Sequence, residues 1–106
     1  MKDVILKLRQ FRDERDWKQF HNPKDLSLAL SIEASELLEV FLWKSSEDAD
    51  VGKVKEELAD VLAYAFLLAD SYDLDISEIV LEKIRKNELK YPVNKAKGTA
   101  KKYTDL

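Results

Sequence analysis

The chain has 106 residues and a formal net charge of −3; 37% of the residues are charged and 45% are hydrophobic. A chain of this length and composition is expected to fold as one soluble domain, residues 1–106. It contains no cysteine, which excludes disulfides, thiolate zinc sites and cysteine nucleophiles. Its two glycines, Gly52 and Gly98, cannot build the glycine-rich loops that bind phosphates in P-loop and dinucleotide-binding proteins.

No stretch of the sequence predicts a membrane span or a secretory leader. The longest apolar run, residues 61–69, is far shorter than the roughly 20 residues that cross a bilayer. The N-terminal stretch MKDVILKLRQ carries charges among its apolar residues and lacks the apolar core of a signal peptide. We therefore expect a cytoplasmic protein with no membrane partner.

The charge is distributed unevenly along the chain. Residues 83–102 contain eight Lys or Arg residues and one Glu. Such a stretch is typical of a solvated helix end and tail, and it would also suit a cationic rim around an anionic ligand. The overall acidity argues against a dedicated nucleic-acid-binding protein, and binding through this basic tail is the weaker alternative.

Apolar residues at helical spacing predict four helices, and no stretch shows the alternation of a strand. We therefore expect an all-α, four-helix bundle-like fold. The first helix is predicted over about residues 3–16. The connector WKQFHNPKD follows, and its Asn22-Pro23 pair is a helix-start signal. The second helix is predicted over about residues 24–43.

The polar loop KSSEDADVG separates the second helix from a third, predicted over about residues 51–71. The sequence YDLDIS ends the third helix, and a fourth is predicted over about residues 76–90. Pro92 stops the fourth helix because proline lacks the backbone N–H that a helix needs. Residues 92–106 are expected to form a C-terminal tail of the same domain.

Four carboxylates fall on the apolar faces of the second and third helices. At about 100° per residue, Glu33 and Glu36 lie within the arc that holds the apolar residues of the second helix. Glu57 and Asp60 lie within the corresponding arc of the third helix. Because the loop between these helices is short, we expect them to be antiparallel neighbours whose carboxylates converge.

Converging carboxylates need a compensating cation, because burying even one without a partner costs of the order of several kcal/mol. A Lys or Arg partner is one solution, with Lys53 the best candidate. The other is Mg²⁺, which prefers carboxylate oxygens. A di-iron site would want Glu-x-x-His from two helices, whereas the single histidine, His21, lies in the connector. The pattern therefore predicts a site for Mg²⁺, with Mn²⁺ as a substitute.

Mg²⁺ that is held by carboxylates and keeps several waters usually meets a phosphate substrate. Aromatic residues near the predicted site suit a nucleotide: Trp17 in the connector, Trp43 at the end of the second helix and Tyr64 one turn beyond Asp60. Tryptophans at helix ends can stack on a base, and they can equally well close the core. These residues indicate a nucleotide pocket without settling its composition.

The sequences EASELLEVFLW and EELADVLAY resemble the MazG-like all-α nucleoside triphosphate pyrophosphohydrolases, and within them the dCTP pyrophosphatase branch. The family motif, E-x-x-E followed by E-x-x-D, is matched by Glu33, Glu36, Glu57 and Asp60. The pattern K-x-x-x-N-x-x-x-Y-P of the fourth helix is matched by Lys83, Asn87, Tyr91 and Pro92. ERDWKQFHNPKDL and KKYTDL resemble the stretches before the first motif helix and at the C-terminal end. The likeness covers about residues 5–106.

The resemblance implies Mg²⁺-dependent hydrolysis of a (deoxy)nucleoside triphosphate, dCTP or a related or modified dNTP, to the monophosphate and pyrophosphate, as house-cleaning of the nucleotide pool. It implies that the four motif carboxylates hold the metal and that one of them, or Glu56, orients or deprotonates the attacking water. Lys83 and Asn87 would contact the phosphates, with Tyr91 nearby. The residues expected to line the nucleoside pocket are Trp17, His21, Trp43 and Tyr64.

The resemblance also implies a homo-oligomer, a homodimer or homotetramer, with sites shared between subunits. The third helix agrees, because Leu58, Leu62 and Phe66 lie away from Glu57 and a helix that is apolar all round is buried all round. Where the family branch often carries a polar residue near the base, this chain has Leu8. The alternative to an enzyme is a non-catalytic helical module that binds nucleotides or a partner protein; it would not need four inward carboxylates.

Overall fold

The structure is a computed structural model that describes residues 2–106, and every regular element in that range is helical. The α-helices are α1 (Lys2–Glu14), α2 (Pro23–Glu39), α3 (Val51–Ser71), α4 (Ile76–Lys90) and α5 (Val93–Ala96). Single 3₁₀ turns cover Lys18–Phe20, Ser46–Asp48 and Tyr103–Asp105. None of the helices within residues 2–106 combines the length and apolar character that crossing a bilayer requires. The all-α prediction is confirmed, and residues 2–106 form five α-helices in place of the four predicted.

The chain forms two compact units, the first ending at Asp73 and the second spanning Leu74–Leu106. The first unit contains α1, α2 and α3, and the second contains α4 and α5. All four motif carboxylates belong to the first unit, because they lie on α2 and α3.

The second helix begins where the sequence predicts and ends earlier. The Asn22 side chain caps it by accepting a backbone hydrogen bond (2.9 Å), and Pro23 takes the first helical position. Beyond Glu39, the N–H groups of residues 40–42 donate to carbonyls three residues back, and Trp43 adopts a left-handed φ of 60°. The prediction that this helix extends to Trp43 is wrong, because its last turn tightens to 3₁₀ geometry and the chain reverses.

The first helix ends two residues before the predicted boundary, Asp16. The Trp17 N–H donates to the Arg12 carbonyl (3.0 Å), and Asp16, with a φ of 54°, donates to the Asp13 carbonyl (3.1 Å). This pair of bonds is the Schellman closure of a helix C-terminus. An edge-on contact between the rings of Phe11 and Trp17, 5.7 Å between centroids, accompanies it. The closure therefore holds the start of the connector against α1.

The third and fourth helices have the predicted bounds, and an aspartate caps the start of each. Asp50 accepts a hydrogen bond from the Gly52 N–H, and Asp75 accepts one from the Glu78 N–H, both at 2.9 Å. The segment predicted as a C-terminal tail is partly helical, since α5 begins directly after Pro92.

An ion-pair network joins α1 to α3. Nε of Arg9 donates to both carboxylate oxygens of Asp70, at 3.1 and 3.0 Å. The buried guanidinium of Arg12 lies 3.8 Å from Asp70 and 2.8 Å from Asp13. A buried cation without such partners would be strongly unfavourable, so the network selects the way in which α1 packs on α3.

The apolar core of the first unit is small. Among the described residues, the buried apolar side chains are Leu26, Leu67 and Ala69. Large apolar residues of α3 remain accessible, with Leu58 43% and Leu62 46% exposed. In a single chain, part of the apolar surface that the sequence predicts to be buried therefore stays exposed.

Candidate functional site

Three of the four motif carboxylates converge between α2 and α3. Glu33 and Glu36 lie three residues apart on α2, and this spacing places both side chains on one face of the helix. One carboxylate oxygen from each of Glu33, Glu36 and Glu57 lies within 4.8 Å of the others. Asp60 is not part of this group, although its charge reaches Glu33 and Glu57.

The carboxylates of the cluster raise one another's pKa. Burial, followed by the adjacent carboxylate of Glu36, raises the pKa of Glu33 from 4.5 to about 7. Burial and the charges of Glu36 and Asp60 likewise raise the pKa of Glu57. Each shift means that the folded chain disfavours the ionised form, because the group is buried and because other carboxylates lie nearby.

The donor set fits a hard divalent cation. Oε2 of Glu33 and Oε2 of Glu57 are buried and have no hydrogen-bond partner within residues 2–106. No Lys or Arg of the described chain forms an ion pair with the clustered glutamates, so the lysine compensation expected as one alternative is not formed. Unpartnered carboxylate oxygens are the ligands that Mg²⁺ and similar cations prefer. The chain therefore presents an acidic cluster able to hold a divalent metal.

An aromatic wall, formed by Trp17, His21 and Tyr64, adjoins the carboxylates. The His21 ring lies 6.4 Å from the Trp17 ring and 6.4 Å from the Tyr64 ring, centroid to centroid. Burial raises the pKa of Tyr64, and so do the charges of Glu33 and Asp60, because these carboxylates lie near its side chain. The structure thus brings three of the residues predicted to bind the nucleoside together beside the carboxylate cluster.

The surroundings of His21 favour the neutral form of its ring. Burial, and secondarily the positive charge of Arg12, lowers the pKa of the imidazole below 6.5. Its Nδ1 is buried and has no hydrogen-bond partner among residues 2–106. A neutral imidazole offers one donor and one acceptor, so this ring can recognise a polar group that enters the wall.

Trp43 is not part of the aromatic wall. It lies in the turn after α2 and is 94% exposed. The prediction that Trp43 lies at the end of α2 is wrong, because the helix ends at Glu39. Its role in binding a nucleoside stays a prediction.

The remaining predicted residues belong to the second unit. Lys83 and Asn87 lie four residues apart on α4 and therefore share one face of that helix. The Tyr91 N–H donates to the Asn87 carbonyl (2.8 Å), and the Tyr91 ring lies 6.0 Å from that of Tyr103. Contact of Lys83, Asn87 and Tyr91 with phosphates stays a prediction from the resemblance.

One wall of the site is not fully predicted by the sequence pattern. Beside the cluster lies a cleft of about 310 Å³, lined by Glu36, Glu39, Val40, Lys44, Lys53 and Glu57. Lys53 is expected as a cation near the carboxylates, whereas Glu39 and Lys44 are not expected. Glutamates at every third position from Glu33 onward are the signal for Glu39. Lys44 follows an irregular turn, where helical periodicity carries no information.

Curated relatives cover most of this chain. The dCTP pyrophosphatase 1 of Rattus norvegicus is 44% identical over 107 residues, which is 92% of this chain and 62% of that protein. The Homo sapiens protein of the same name is 39% identical over 105 residues, with the same coverage. The chain therefore spans about 62% of the length of the curated relatives that it matches.

A solved structure and a family model agree with these relatives. A pyrophosphatase from Archaeoglobus fulgidus, known from its crystal structure, is 43% identical and superposes with a TM-score of 0.81, over 87% of this chain and 92% of that chain. The model of the MazG-like family matches residues 28–106, a range that contains all four motif carboxylates. The chain belongs to the MazG-like family.

Proposed function

We propose that the protein hydrolyses a (deoxy)nucleoside triphosphate, dCTP or a related or modified dNTP, to the nucleoside monophosphate and pyrophosphate, with Mg²⁺. The observation that carries the proposal is the convergence of Glu33, Glu36 and Glu57, with two buried and unpartnered oxygens among the described residues, beside an aromatic wall. The relatives named dCTP pyrophosphatase 1 support the substrate class.

The motif carboxylates would hold the metal: Glu33, Glu36 and Glu57, with Asp60 one turn further along α3. When bound, Mg²⁺ would neutralise part of the phosphate charge and lower the pKa of water at the site. The attacking water would approach the α-phosphorus in line with the bond to the leaving pyrophosphate. A motif carboxylate, or Glu56 next to Glu57, would orient this water or accept its proton.

The aromatic wall would hold the nucleoside. Trp17 and Tyr64 offer ring surfaces, and neutral His21 offers a hydrogen bond to a polar edge of the base or sugar. An unsatisfied buried polar atom favours a ligand that supplies its missing partner. Selectivity would therefore come from the group that meets Nδ1 of His21, and stacking would add affinity for any base.

Self-association, as a homodimer or homotetramer, is part of the proposal. Leu38, in the last turn of α2, is 71% exposed, and Trp43, in the turn that follows α2, is 94% exposed. Leu58 and Leu62 of α3 are also exposed. Several exposed apolar side chains favour an interface with a partner protein. A second copy of this chain would cover them, including Trp43. Light scattering after size-exclusion chromatography would find an oligomer for the natural chain and smaller particles for Leu62→Glu. A monomer at tens of micromolar would contradict this part.

The experiment that tests the activity is product analysis by chromatography. The protein is incubated with each common NTP and dNTP, in turn with Mg²⁺, with Mn²⁺ and with a chelator. The expected products are the monophosphate and pyrophosphate, formed only with the metal and fastest from dCTP. Release of single phosphates would contradict the proposed reaction.

A matched pair of variants separates the site from the rest of the acidic surface. Glu57→Gln removes a clustered carboxylate, whereas Glu47→Gln removes an exposed one in the Ser46–Asp48 turn. Activity is expected to disappear in the first and persist in the second. Equal activity in the two would contradict a role for the cluster. A natural chain that binds nucleotides but hydrolyses none of them would instead favour the non-catalytic module.

A further inference from the structure

Four aromatic rings form a continuous series that begins on α1 and ends on α3. The ring of Phe11, on α1, stands edge-on to that of Trp17, with 5.7 Å between centroids and 77° between planes. The series continues along the aromatic wall, from Trp17 to His21 and from His21 to Tyr64, with 6.4 Å between centroids at each step. The proposed function uses the last three of these rings and not Phe11.

The backbone of Trp17 is fixed by local structure, but the orientation of its indole is not. The Trp17 N–H donates to the Arg12 carbonyl (3.0 Å), directly after the left-handed turn at Asp16. This closure sets where the side chain begins, whereas its side-chain dihedral angles can still occupy several rotamers. Trp17 is 42% exposed, so the protein covers only part of it. Its contacts with Phe11 and His21 therefore restrict the rotamers that the indole populates.

Phe11 is itself held in place by Arg15. The guanidinium carbon of Arg15 lies 3.7 Å from the centre of the Phe11 ring, close enough for a cation–π contact. Nη1 of the same arginine donates to the Phe11 carbonyl at 3.0 Å, so one side chain contacts both the ring and the backbone of Phe11. Phe11 is nevertheless 48% exposed, and it therefore adds less to the stability of the core than a buried phenylalanine would. Within residues 2–106, the aromatic ring that it contacts is that of Trp17.

We propose that Phe11 is a positioning residue for nucleotide binding: it holds the Trp17 indole in the orientation in which the aromatic wall receives a base, and does not touch the nucleotide itself. The inference rests on the proposed function. An indole that is oriented before binding loses less conformational freedom when a base stacks on it, so binding is tighter. Every base has a face for stacking, so Phe11 should affect all dNTPs alike, unlike the hydrogen bond proposed for His21.

The first test compares the steady-state kinetics of the natural chain with those of Phe11→Leu, which removes the ring and keeps an apolar side chain. The KM for dCTP is expected to rise about fivefold, the size of the contribution of one aromatic pair, while kcat stays within about twofold. The KM for each other dNTP that is hydrolysed should rise by a similar factor. Phe11→Tyr, which keeps the ring and can direct its hydroxyl group to solvent, should retain the natural KM.

Phe20→Leu is the matched control. Phe20 lies in the connector, is 62% exposed and forms no ring pair within residues 2–106. The same substitution there should leave the KM within about twofold of the natural value. Because both phenylalanines are exposed, both leucine variants should stay folded, as circular dichroism would show. An equal rise of the KM in Phe20→Leu would show a general effect of losing an aromatic ring near the connector and would overturn the inference.

A double-mutant cycle tests whether Phe11 acts through Trp17. Trp17→Leu alone should raise the KM for dCTP, because it removes the indole on which the base is proposed to stack. In the Trp17→Leu background, Phe11→Leu should change the KM by less than about twofold, since no indole is left to position. A rise of about fivefold in that background as well would mean that Phe11 acts independently of Trp17, which is contrary to the inference.

The orientation of the indole can also be measured without a nucleotide. His21 is the single histidine of the chain, so its ring protons can be identified in an NMR spectrum. The nuclear Overhauser effects between the rings of His21 and Trp17 should weaken in Phe11→Leu and persist in Phe11→Tyr. Unchanged effects in Phe11→Leu would show that Trp17 keeps its orientation without Phe11, and the inference would be wrong.

These outcomes separate the inference from the function on which it rests. An unchanged KM in Phe11→Leu, in a protein whose natural form hydrolyses dCTP, would overturn the inference and leave the function intact. A natural chain that hydrolyses no nucleotide would remove the proposed function and, with it, the role of Phe11 in nucleotide binding.

Discussion

The imidazole of His21 stands edge-on to the ring of Tyr64, with 6.4 Å between centroids and 68° between planes. This contact joins the connector before α2 to the helix that carries Glu57 and Asp60. Because Tyr64 also lies near Glu33 and Asp60, the pair lies between the proposed nucleoside pocket and the carboxylate cluster. The relationship makes His21 the residue through which base recognition can be tested.

Replacing His21 with Phe is expected to separate recognition from stability. The ring contacts persist, and the buried Nδ1 that lacks a partner in the described chain is removed, so the melting temperature should be unchanged or higher. The KM for dCTP should rise about tenfold, the effect of losing one hydrogen bond, and the preference over other dNTPs should shrink. Steady-state kinetics with each dNTP would measure both effects. An unchanged KM together with a lower melting temperature would mean that His21 serves packing alone.

Removing a clustered carboxylate is expected to abolish metal-dependent turnover without unfolding the chain. Removing a residue that only supports a metal ligand typically lowers metal affinity or activity about tenfold to a hundredfold. Glu57 is a proposed ligand itself, so Glu57→Gln should lower kcat/KM at least about a hundredfold. Glu36→Gln and Asp60→Asn are expected to act in the same direction. Circular dichroism should be unchanged, and Mg²⁺ should raise the melting temperature of the natural chain more than that of the variants. Full activity in a variant would remove that residue from the mechanism.

The stability of the metal-free protein is expected to fall as pH rises from about 4.5 to about 7. The pKa of Glu33 is raised from 4.5 to about 7, so the folded chain binds this proton more tightly than the unfolded chain. The resulting stabilisation is present below the unfolded pKa and is lost as pH passes through the folded pKa. The raised pKa of Glu57 acts in the same direction. Melting temperatures in a chelating buffer across this range would measure the effect.

Glu33→Gln is the matched variant, because it cannot ionise. In the absence of divalent metal it should melt above the natural chain at about pH 8 and close to it below about pH 4.5. Glu47→Gln, at an exposed position, should follow the natural chain throughout. A natural chain that becomes more stable relative to Glu33→Gln as pH rises would show that an unrecognised cation already compensates the cluster.

Asp70→Asn is expected to lower the free energy of unfolding by about 2 kcal/mol, because it removes the carboxylate that faces Arg9 and the buried Arg12. Denaturation by urea would measure the loss. Glu14→Gln, which removes the exposed pair with Arg15 (3.8 Å), should cost less than about 0.5 kcal/mol. Arginine lowers the pKa of Asp70, so the difference between natural chain and variant should vanish as pH falls below the ordinary range of an aspartate. Equal losses in the two variants would contradict the role of the network.

The starts of α2, α3 and α4 were predictable, whereas the ends of α1 and α2 were not, and the turn residues explain the difference. The caps Asn22, Asp50 and Asp75 act through their own side chains on backbone a few residues away, so local sequence is sufficient. The ends of α1 and α2 use left-handed backbone at Asp16 and Trp43, where the usual signal is glycine. A non-glycine residue adopts this conformation only when surrounding contacts compensate its strain, and sequence periodicity does not report such contacts.

The sequence by itself determined the helices, the absence of thiol and glycine-loop chemistry, and the spacing that places Glu33 and Glu36 on one helical face. These features depend on interactions within a few residues. Only the tertiary structure decided that Glu57 joins this pair while Asp60 stands apart, that Trp43 projects outward and that Lys44 and Lys53 share a cleft. Carboxylate convergence within 4.8 Å depends on the rotation and axial shift of α3 against α2. Packing of whole helices sets those two quantities, and no local sequence pattern encodes them.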